Sequence, residues 1–546
     1  MNLKLDQYRG WLLAFFCLPL FLSLDTSSIW DANEAFYVRT PQEMLERGEW
    51  IVPYFNGETR LNKPPLSYWL VLVVYKIFGV SVVAQRMVIA LLAAASVLIV
   101  YALGRRLFNP VAGLWGAGVF ATTFRFLIIS RRLLIDVLLL FCLLAALWFF
   151  VNWLRSHKRR DFLYLCAFLG LGMLAKGPVA LLPTAAFGLY LLISRRLDDL
   201  WKAPLLSGGL LFTAISASWF LLLAWQQGWQ PVIDFFLAEN LGRFSHLDFG
   251  PDRGPFYYVT VFITEFSPWS FAFPFALLAA WKTHRAKGEP AFGQECRPYL
   301  LLGLWAAVYF VIFSLSHNKQ EYYILPLYPA AAIMVGVFIE RGIDWPSRLL
   351  APIPLLLGAA GFGILSWSIL LGDELLLGLA PPALLTMAAL LLLAGRGRWA
   401  VLAMSAFYSL AFLAYLEPLE RYKPVRPLCR SIERAAPGSP PIDYRAGYYR
   451  LTSPSMAYYL DHPILEVYDP QEALQLFRAD RPLYLIMQEG DFHTLQELSG
   501  GQLQIVDVQP KLYTTARNLS RVLSSDKDES TPWTRPVYLV TNQRGD

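Results

Sequence analysis

Long apolar runs dominate the chain from Trp11 to Leu416, and short polar or aromatic stretches separate them. Each run is long enough to cross roughly 30 Å of hydrocarbon as a helix. Hydropathy gives about thirteen such runs. The first run follows Lys4 and Arg9 without a small-residue cleavage site after it, so we interpret it as a retained helix. The pattern predicts an α-helical polytopic membrane protein.

The pattern changes near residue 417. Short strand-like runs (PILEVY, PLYLIM, LQIVDV and PVYLV) are interspersed there with helix-like segments such as DPQEALQLFRA. We therefore predict a membrane domain of residues 1–416 and a small α/β domain of residues 417–546 outside the membrane. The first exterior loop, residues 31–80, is predicted to carry interfacial helices.

Basic residues fall on every second predicted loop and so orient the chain. The loops concerned carry Arg105, Arg106, Arg155, Lys158, Arg159, Arg160, Arg195, Arg196, Lys202, Lys282, Arg285, Lys287, Arg396 and Arg398. Because Lys and Arg accumulate on the cytoplasmic side of membrane proteins, we predict that these loops are cytoplasmic. The alternate loops and the C-terminal domain are then predicted to face the periplasm or exterior.

The composition agrees with this class and excludes others. Hydrophobic residues make up 56% of the 546 residues, charged residues make up 16%, and the mean hydropathy is +0.42, which is too apolar for a soluble domain. The net charge of +6 is ordinary under the cytoplasmic basic bias, so it does not indicate a nucleic-acid partner. Only Cys429 of the five cysteines lies after residue 416, so no disulfide framework is predicted.

Several cations lie on predicted exterior loops, where the basic bias predicts few. They are Lys63, Arg131, Arg132, Lys176, Arg243, Arg253 and Lys319. Ammonium and guanidinium groups donate charge-assisted hydrogen bonds to phosphate oxygens, so we interpret these residues as ligands of an anionic headgroup such as a lipid-carrier phosphate. For each one taken alone, the alternative is a side chain that snorkels to the membrane surface.

Two carboxylates follow the first apolar run in the stretch WDANEAFY. Asp31 and Glu34 are three residues apart, so they share one face if the chain is helical there. A carboxylate at the outer edge of the membrane can act as a general base. The alternative for Asp31 is a helix cap, which satisfies free backbone N–H groups and does nothing more.

The rest of this loop contains two predicted interfacial helices. PQEMLERGEW has the pattern of an amphipathic helix in the membrane plane, with Met44, Leu45 and Trp50 toward lipid. In NKPPLSYWL, the two prolines are predicted to begin a second helix and to place Lys63 just before it.

A set of ordered motifs carries a family resemblance. The set comprises DANEAFY, EM…GEWIVP…NG…KPPLxYW, LAKGP, EN-x-x-RF…PFYY…PW and K-x-x-YYILPLYPA, between Trp30 and about Ala332. It resembles the GT-C integral-membrane glycosyltransferases, above all the bacterial aminoarabinose (lipid A) transferases and, further off, the protein O-mannosyltransferases. The resemblance implies a GT-C fold with about thirteen transmembrane helices and a periplasmic C-terminal domain. It also implies a polyprenyl-phosphate sugar donor and a place in the bacterial inner membrane.

The resemblance also implies roles for individual residues. Glu34 matches the second carboxylate of the family's acidic pair, and Asp136 matches the acid that begins the fourth membrane helix. Lys63 matches a lysine that contacts the carrier phosphate, and Tyr323 matches a tyrosine near that phosphate. The full predicted set for binding the carrier phosphate or sugar is Lys63, Arg131, Arg132, Lys176, Glu239, Arg243, Arg253, Lys319 and Tyr323.

The chain departs from the aminoarabinose branch at three positions that carry asparagine: Asn33, Asn62 and Asn240. An amide does not accept a proton at neutral pH, so the base must be Asp31, Glu34 or Asp136, and Asp31 is favoured narrowly. The carboxylate–histidine pair that might hold a metal in that branch is missing here. The exterior loops of the membrane half retain only His246 and His317, so a divalent metal is disfavoured and no other cofactor is predicted.

These observations predict an inverting glycosyltransferase that moves a sugar from a polyprenyl-phosphate donor to a lipid A-like or other cell-envelope acceptor. No nucleotide is needed, which agrees with the absence of a Gly-rich phosphate loop. One alternative is a GT-C enzyme that acts on a protein hydroxyl or a surface glycan. A remote alternative is a lipid-linked-sugar transporter, but the charges cluster at exterior helix ends and not at the bilayer midplane.

Overall fold

The computed structural model describes residues 2–31, 33–132, 135–242, 253–287, 297–343, 345–369, 373–436, 444–512 and 534–543. The chain divides into two compact units. The first, here called the membrane unit, contains Met1–Leu24, Gly48–Pro53 and Arg60–Ala414. The second, the C-terminal unit, contains Tyr415–Asp546 together with Asp25–Arg47 and Tyr54–Thr59, two pieces of the first predicted exterior loop. We call these two pieces the loop segment.

The membrane unit is helical. Its α-helices are Asn2–Phe21, Leu66–Phe78, Val82–Leu107, Pro110–Ala121, Phe124–Ile129, Ile135–Ser156, Arg159–Lys176, Leu182–Ile193, Leu205–Gln227, Gln230–Asp234, Tyr257–Glu265, Phe273–Lys287, Pro298–Leu315, Tyr328–Arg341, Trp345–Leu350, Ile353–Ile369, Asp373–Leu393 and Gly397–Glu420, the last of which continues into the C-terminal unit. Short 3₁₀ helices occupy Pro178–Leu181, Leu197–Lys202, Trp269–Phe271 and Glu321–Leu327, and a π-helix occupies Phe235–Gly242.

The described residues contain seven helices that are long and apolar enough to cross a membrane, or eight if the bent pair Tyr257–Glu265 and Trp269–Lys282 counts as one span. Shorter apolar helices lie at Leu66–Phe78, Pro110–Ala121, Pro178–Ile193 and Leu377–Leu393. These helices confirm a polytopic membrane protein. The predicted number of about thirteen spans stays a prediction.

Local signals explain where the membrane helices begin and how closely they pack. Asn109 caps the helix Pro110–Ala121, and its side-chain oxygen accepts from the N–H groups of the second and third helical residues at 3.0 and 2.9 Å. This helix packs against Tyr328–Arg341 at Gly116 and Gly336. A Cβ atom on Gly336 would lie 2.3 Å from the Gly116 nitrogen, so these backbones meet only because both residues lack side chains.

The C-terminal unit contains a five-stranded sheet with the strand order β4-β3-β5-β7-β6. The strands are β3 (Arg445–Tyr449), β4 (Leu465–Val467), β5 (Leu483–Gln488), β6 (Gln504–Leu512) and β7 (Thr534–Thr541). Strand β3 is parallel to β4 and β5, whereas β7 is antiparallel to β5 and β6. The loop segment adds the helix Glu34–Arg47 and the hairpin β1 (Tyr54–Phe55) and β2 (Glu58–Thr59). The other helices are Val425–Ala435, Met456–Tyr459, Pro470–Phe477 and Glu489–Leu498.

Alternation along β5 divides the core of this unit between the two faces of the sheet. Tyr484 and Ile486 face a cluster that includes the helix Val425–Ala435. Leu483, Leu485 and Met487 face a second cluster with Pro470–Phe477 and Glu489–Leu498. The predicted α/β domain is therefore confirmed, and the four strand-like runs form strands. Phe55 of the hairpin packs into the first cluster, so the loop segment is part of this core.

Candidate active site

Three residues predicted to serve the reaction come together in the membrane unit. Asp136 lies in the first turn of its helix, and Lys176 is the last residue of the next helix. Their side chains are 8% and 15% exposed and form an ion pair. The Lys176 ammonium also lies 4.8 Å from the ring centre of Tyr323 and 5.2 Å from that of Tyr322, within the range of cation–π attraction. An acid, a cation and two tyrosines from three separate segments thus form one cluster.

Arg253 lies in a second polar cluster of the membrane unit. Its guanidinium forms an ion pair with Glu321 at 3.1 Å, donates to the Lys319 carbonyl oxygen at 2.7 Å and contacts the Tyr257 hydroxyl. The Tyr257 hydroxyl in turn donates to the Glu321 carboxylate at 2.8 Å. Arg253 therefore holds the segment that carries Lys319 and Tyr323, and its charge is shared with Glu321.

Lys319 is 7% exposed. Within the described ranges, its ammonium has no ion-pair partner, whereas Lys176 and Arg253 are each paired with a carboxylate. A buried ammonium favours an anionic partner strongly, because burial removes its hydration. Among the cations of these two clusters, Lys319 is the one whose charge is still open to a ligand.

Arg131 has a different environment from the one predicted. Its guanidinium donates to the carbonyl oxygens of Pro19, at 2.6 Å, of Leu22, and of Ser23, at 3.2 Å, where the first helix ends. Arg86 donates to the next carbonyl, that of residue 24, at 2.8 Å. Burial lowers the pKa of Arg131 to about 10, and the neighbouring guanidinium of Arg86 adds to the effect.

These contacts indicate a structural role for Arg131, and its predicted role in binding the carrier phosphate stays a prediction. A helix C-terminus presents unsatisfied carbonyls and negative partial charge, so Arg131 fits a structural cap of the first helix. Asp136 forms its ion pair with Lys176 and not with this arginine. Arg132 is partly buried beside the end of the short helix Phe124–Ile129, and its backbone N–H donates to the carbonyl of residue 129 at 3.1 Å.

Lys63 lies directly before the helix Leu66–Phe78, as predicted from the two prolines. Its side chain is partly buried, and its ammonium donates to the Asn62 carbonyl oxygen at 2.9 Å. This bond to a neighbouring carbonyl orients the ammonium, which has three donors.

Glu239 and Asn240 lie in the π-helix Phe235–Gly242. The Asn240 amide donates to the Phe235 carbonyl oxygen at 2.6 Å, so this side chain stabilises its own helical turn. Glu239 is partly buried. Arg243 and His246 lie outside the described residues. Across the described ranges, no group of His, Cys, Asp and Glu side chains is arranged to hold a metal ion.

Asp31 is partly buried in the C-terminal unit. Its Oδ1 atom accepts a hydrogen bond from the Ser455 backbone N–H at 3.0 Å. Burial raises the pKa of the Asp31 carboxyl above its usual value, while hydrogen bonding from Ser455 and the charges of Lys511 and Lys423 act in the opposite direction. A carboxylate with a raised pKa is a stronger proton acceptor than an ordinary surface aspartate.

Glu34 is only 1% exposed and is the first residue of the helix Glu34–Arg47. Its Oε2 atom accepts a hydrogen bond from the Trp30 backbone N–H at 2.9 Å. Asp31 lies in the turn before this helix, so the expected helical offset that would put both acids on one face is wrong. Glu34 fits a residue that fixes the turn on which Asp31 lies.

Two further expectations about this helix differ from the structure. Met44, predicted to face lipid, is fully buried, and the helix starts ten residues before it, at Glu34. Hydropathy records that a side chain avoids water, but it does not distinguish lipid from protein as the surrounding medium.

Sequence analysis missed Arg39. Its side chain is 4% exposed and contacts Glu43 and Glu46, each at 3.1 Å, and Asp461 at 2.5 Å. In sequence, Arg39 and Glu43 form an ordinary i,i+4 pair, which is typical of a solvated helix face. The available signal was the position of Arg39 directly after the apolar run Phe36 to Val38, which is unusual for an exposed arginine.

The chain is similar to several known proteins. Residues 62–225 match the family described as dolichyl-phosphate-mannose-protein mannosyltransferase. A protein of Aquifex aeolicus described as uncharacterized is 29% identical over 484 residues, which cover 86% of this chain and 89% of the relative. The undecaprenyl phosphate-alpha-4-amino-4-deoxy-L-arabinose arabinosyl transferase 2 of Pseudomonas fluorescens is 30% identical over 341 residues, which cover 60% of this chain.

That match spans 56% of the Pseudomonas transferase, less than two thirds of its length. A solved structure extends the likeness to nearly the whole chain. The crystal structure of ArnT from Cupriavidus metallidurans bound to undecaprenyl phosphate has a TM-score of 0.75 at 20% identity, over 98% of both chains. At this identity, the likeness shows a shared fold.

Proposed function

We propose that the chain is a member of the GT-C superfamily of integral-membrane glycosyltransferases and that it transfers a sugar from a polyprenyl-phosphate donor to an acceptor of the bacterial cell envelope. A lipid A-like glycolipid is the favoured acceptor, because the curated relatives are aminoarabinose transferases. The site of the reaction is proposed to be the periplasmic face of the inner membrane. The basic bias of the alternate loops supports this orientation.

The proposal depends most on the cluster of Asp136, Lys176 and Tyr323. Resemblance and charge nominated these three residues separately, from segments far apart in the chain, and they lie within one group of contacts. Buried charges are costly unless they are paired, so a membrane protein keeps such a group chiefly where it serves function. A purely structural helix bundle has no need of it.

The proposed reaction breaks the bond between the anomeric carbon and the carrier phosphate. An acceptor oxygen attacks the anomeric carbon from the opposite face, its proton passes to a carboxylate, and polyprenyl phosphate leaves with the bonding electrons. This direct displacement inverts the anomeric configuration. The donor is already activated, so the protein has to supply a base, cations for the departing phosphate and correct positioning.

We assign the role of base to Asp31, because its pKa is raised by burial and its hydrogen-bond donor, the Ser455 N–H, is uncharged. Lys319 is assigned to the phosphate, because its ammonium is buried and has no ion-pair partner in the described part of the chain, whereas Lys176 and Arg253 are each paired with a carboxylate. Lys63 is assigned to the phosphate because the family resemblance matches it to a lysine that contacts the carrier phosphate. Asp136 and Lys176 are assigned to organising the charges around Tyr323.

The test is transfer by the purified full-length protein. Undecaprenyl-phosphate sugars are supplied with lipid A, and mass spectrometry follows both the glycolipid product and released undecaprenyl phosphate. We expect the two products in equal amounts. Donor moved between leaflets of proteoliposomes without release of undecaprenyl phosphate would establish a transporter in place of a transferase.

A protein hydroxyl is the second candidate acceptor, because residues 62–225 match a protein mannosyltransferase family. Serine- and threonine-containing peptides in the same assay test it. Glycosylated peptide with unmodified lipid A would move the assignment to this alternative.

The periplasmic orientation has a separate test. Glu58 and Arg159 are both exposed, and they lie on loops predicted to face opposite sides of the membrane. Single variants Glu58→Cys and Arg159→Cys are treated with a membrane-impermeant thiol reagent in intact spheroplasts. Labelling of the first variant alone supports a periplasmic site, and labelling of the second alone would reverse the orientation.

A further inference from the structure

Arg39 joins the loop segment to the sheet of the C-terminal unit. Its Nη1 atom lies 2.5 Å from Asp461 Oδ1, and this contact links positions 422 residues apart in the chain. The same Asp461 oxygen accepts from the Gln42 side-chain amide at 2.6 Å. Within the helix, Arg39 Nε donates to Glu43 Oε1 at 3.1 Å. The Arg39 guanidinium therefore lies between carboxylates of its own helix and the carboxylate of Asp461, which is in the turn before β4.

A second junction lies seventeen residues further along the loop segment, at Asn56. The Asn56 side chain donates to the Ile464 carbonyl oxygen at 2.9 Å and accepts from the Ile464 N–H at 2.6 Å. This reciprocal pair imitates the bonding of a neighbouring strand. Glu43 connects the two junctions, because its carboxylate also accepts from the backbone N–H groups of Asn56 and Gly57 at 2.8 and 3.0 Å.

We call Arg39, Glu43, Asn56 and their partners Asp461 and Ile464 the clamp. Most of its bonds involve a charged group. Arg39 and Glu43 are buried, whereas the Asp461 side chain is 68% exposed, so the buried charge pair of the clamp is Arg39–Glu43. Buried charge pairs contribute less net stability than apolar packing of the same volume, but they permit few alternative geometries. The clamp is therefore better suited to fix the position of the helix Glu34–Arg47 than to raise the free energy of unfolding.

The clamp holds the helix whose preceding turn carries Asp31. On that turn, the Ile29 N–H donates to the Tyr459 hydroxyl at 2.7 Å, and Asp31 accepts from the Ser455 N–H at 3.0 Å. Ser455 and Tyr459 belong to the stretch directly before Asp461. One short stretch of the chain, residues 455–464, thus contacts the loop segment at its turn, its helix and its hairpin.

We propose that the C-terminal unit is a positioning device for the proton-accepting carboxylate, and that Arg39 and Asp461 are positioning residues of the transferase. This inference rests on the proposed function, with Asp31 as the base. Arg39 and Glu43 of the clamp lie on the helix Glu34–Arg47, and the turn with Asp31 directly precedes this helix, so we expect the turn to move when the clamp is broken. A displacement of about 1 Å at a reacting group costs roughly 10²-fold in rate.

The experiment compares full-length Asp461→Asn, Arg39→Met and Arg39→Lys with the wild type in the transfer assay. We expect kcat to fall about 10- to 100-fold in the first two variants, with the donor KM within about twofold of wild type. Arg39→Lys keeps the charge but loses the fork geometry, so part of kcat should return. The double variant Arg39→Met with Asp461→Asn should be no slower than the slower single variant, because both disrupt one junction.

The matched control is Asp491→Asn in the same unit. Asp491 faces Arg450 at 3.9 Å, so this pair matches Arg39–Asp461 in residue type, but its arginine side chain is 46% exposed whereas that of Arg39 is 4% exposed. Its kcat should equal that of the wild type. Wild-type kcat in Asp461→Asn, or an equal loss in the control, would overturn the inference.

A second measurement separates this inference from the proposed function. Hydrogen exchange by mass spectrometry reports the amides of residues 28–38 in each full-length variant. Clamp variants should exchange faster there than wild type and the Asp491→Asn control, whether or not transfer is detected. Unchanged exchange in both Arg39→Met and Asp461→Asn would refute the clamp. A folded wild type with no transfer would refute only the proposed function.

Discussion

Asp31 and Asp136 are both aspartates that the sequence nominates as the base, but the two units of the molecule give them different partners. Asp136, in the membrane unit, forms an ion pair with Lys176. Asp31, in the C-terminal unit, accepts from a neutral backbone N–H, and burial raises its pKa. An ammonium partner suits a carboxylate that holds charge in place, whereas a neutral donor leaves a carboxylate able to take a proton.

Residue type and location on a predicted exterior loop are therefore not enough to distinguish a candidate base from a structural acid. The partner of each carboxylate makes the distinction. The same holds for the cations, since Arg131 is engaged by backbone carbonyls, whereas the buried Lys319 ammonium has no ion-pair partner in the described part of the chain. Variants of these residues test whether the partner of each charged group decides its role.

Replacing Asp31 by Asn should remove the proton acceptor and lower kcat by about 10² to 10⁴. The protein should still fold and bind donor, because the amide oxygen can accept from the Ser455 N–H. Rates of the purified variant are compared with those of Asp25→Asn, an exposed residue of the same unit. Full activity in Asp31→Asn, with a higher rate in Asn33→Asp, would show that the base lies elsewhere.

Breaking the Asp136–Lys176 pair should affect stability in addition to rate. Lys176→Met leaves a buried carboxylate unpaired, at a cost of about 3–5 kcal/mol in the free energy of unfolding. The double variant Lys176→Met with Asp136→Leu removes both charges and should regain most of that loss. Thermal unfolding in detergent measures both. Equal stability of the single variant and wild type would mean that solvent already reaches the pair.

Replacing Lys63 by Ala should weaken donor binding. A charge-assisted hydrogen bond contributes about 1.5–3 kcal/mol, so the donor KM should rise roughly 10- to 100-fold while the acceptor KM changes little. Lys63→Arg should retain part of the affinity. The control is Lys76→Ala, because Lys76 lies in the following helix and is exposed. A donor KM unchanged in Lys63→Ala would leave this lysine a membrane-surface role only.

Arg131→Lys should lower stability and leave donor kinetics alone. A single ammonium cannot reach all the carbonyls at the end of the first helix, and each unsatisfied buried carbonyl costs about 1–3 kcal/mol. Unfolding and donor KM are measured on the same preparation. A raised donor KM at unchanged stability would restore the original assignment of Arg131 to the phosphate.

We expect a small shift in the pH dependence of kcat. Burial raises the pKa of Asp31, so its carboxyl is protonated, and inactive as a base, at pH values where an ordinary aspartate is ionised. Transfer should therefore decline as the pH falls through a value above about 3.9, the ordinary aspartate pKa. The pH profile of kcat checks this, with Asp136→Asn as the comparison. A limb centred at the ordinary aspartate value would contradict the assignment of the titration to Asp31.

Much of the architecture could be read from local pattern. The membrane class follows from run length, and the strands β4 to β7 follow from short apolar runs between turns. Strand β3 was not recognised, because its sequence RAGYY begins with an arginine and has Gly447 in its centre. That glycine is required by a close backbone approach, since a Cβ there would lie 2.1 Å from the Leu465 carbonyl oxygen.

The amino-acid sequence was enough to predict the membrane class, the change of character after residue 416 and the α/β type of the C-terminal domain, and it supplied the candidate site residues. Each of these depends on residue type or on spacing over one or two turns of chain. Only the tertiary structure decided that Lys176 pairs with Asp136, that Arg131 caps the first helix and that Arg39 reaches Asp461. The physical reason is that a polar side chain bonds to whatever partner folding brings within about 3 Å, and that partner is tens to hundreds of residues away in sequence.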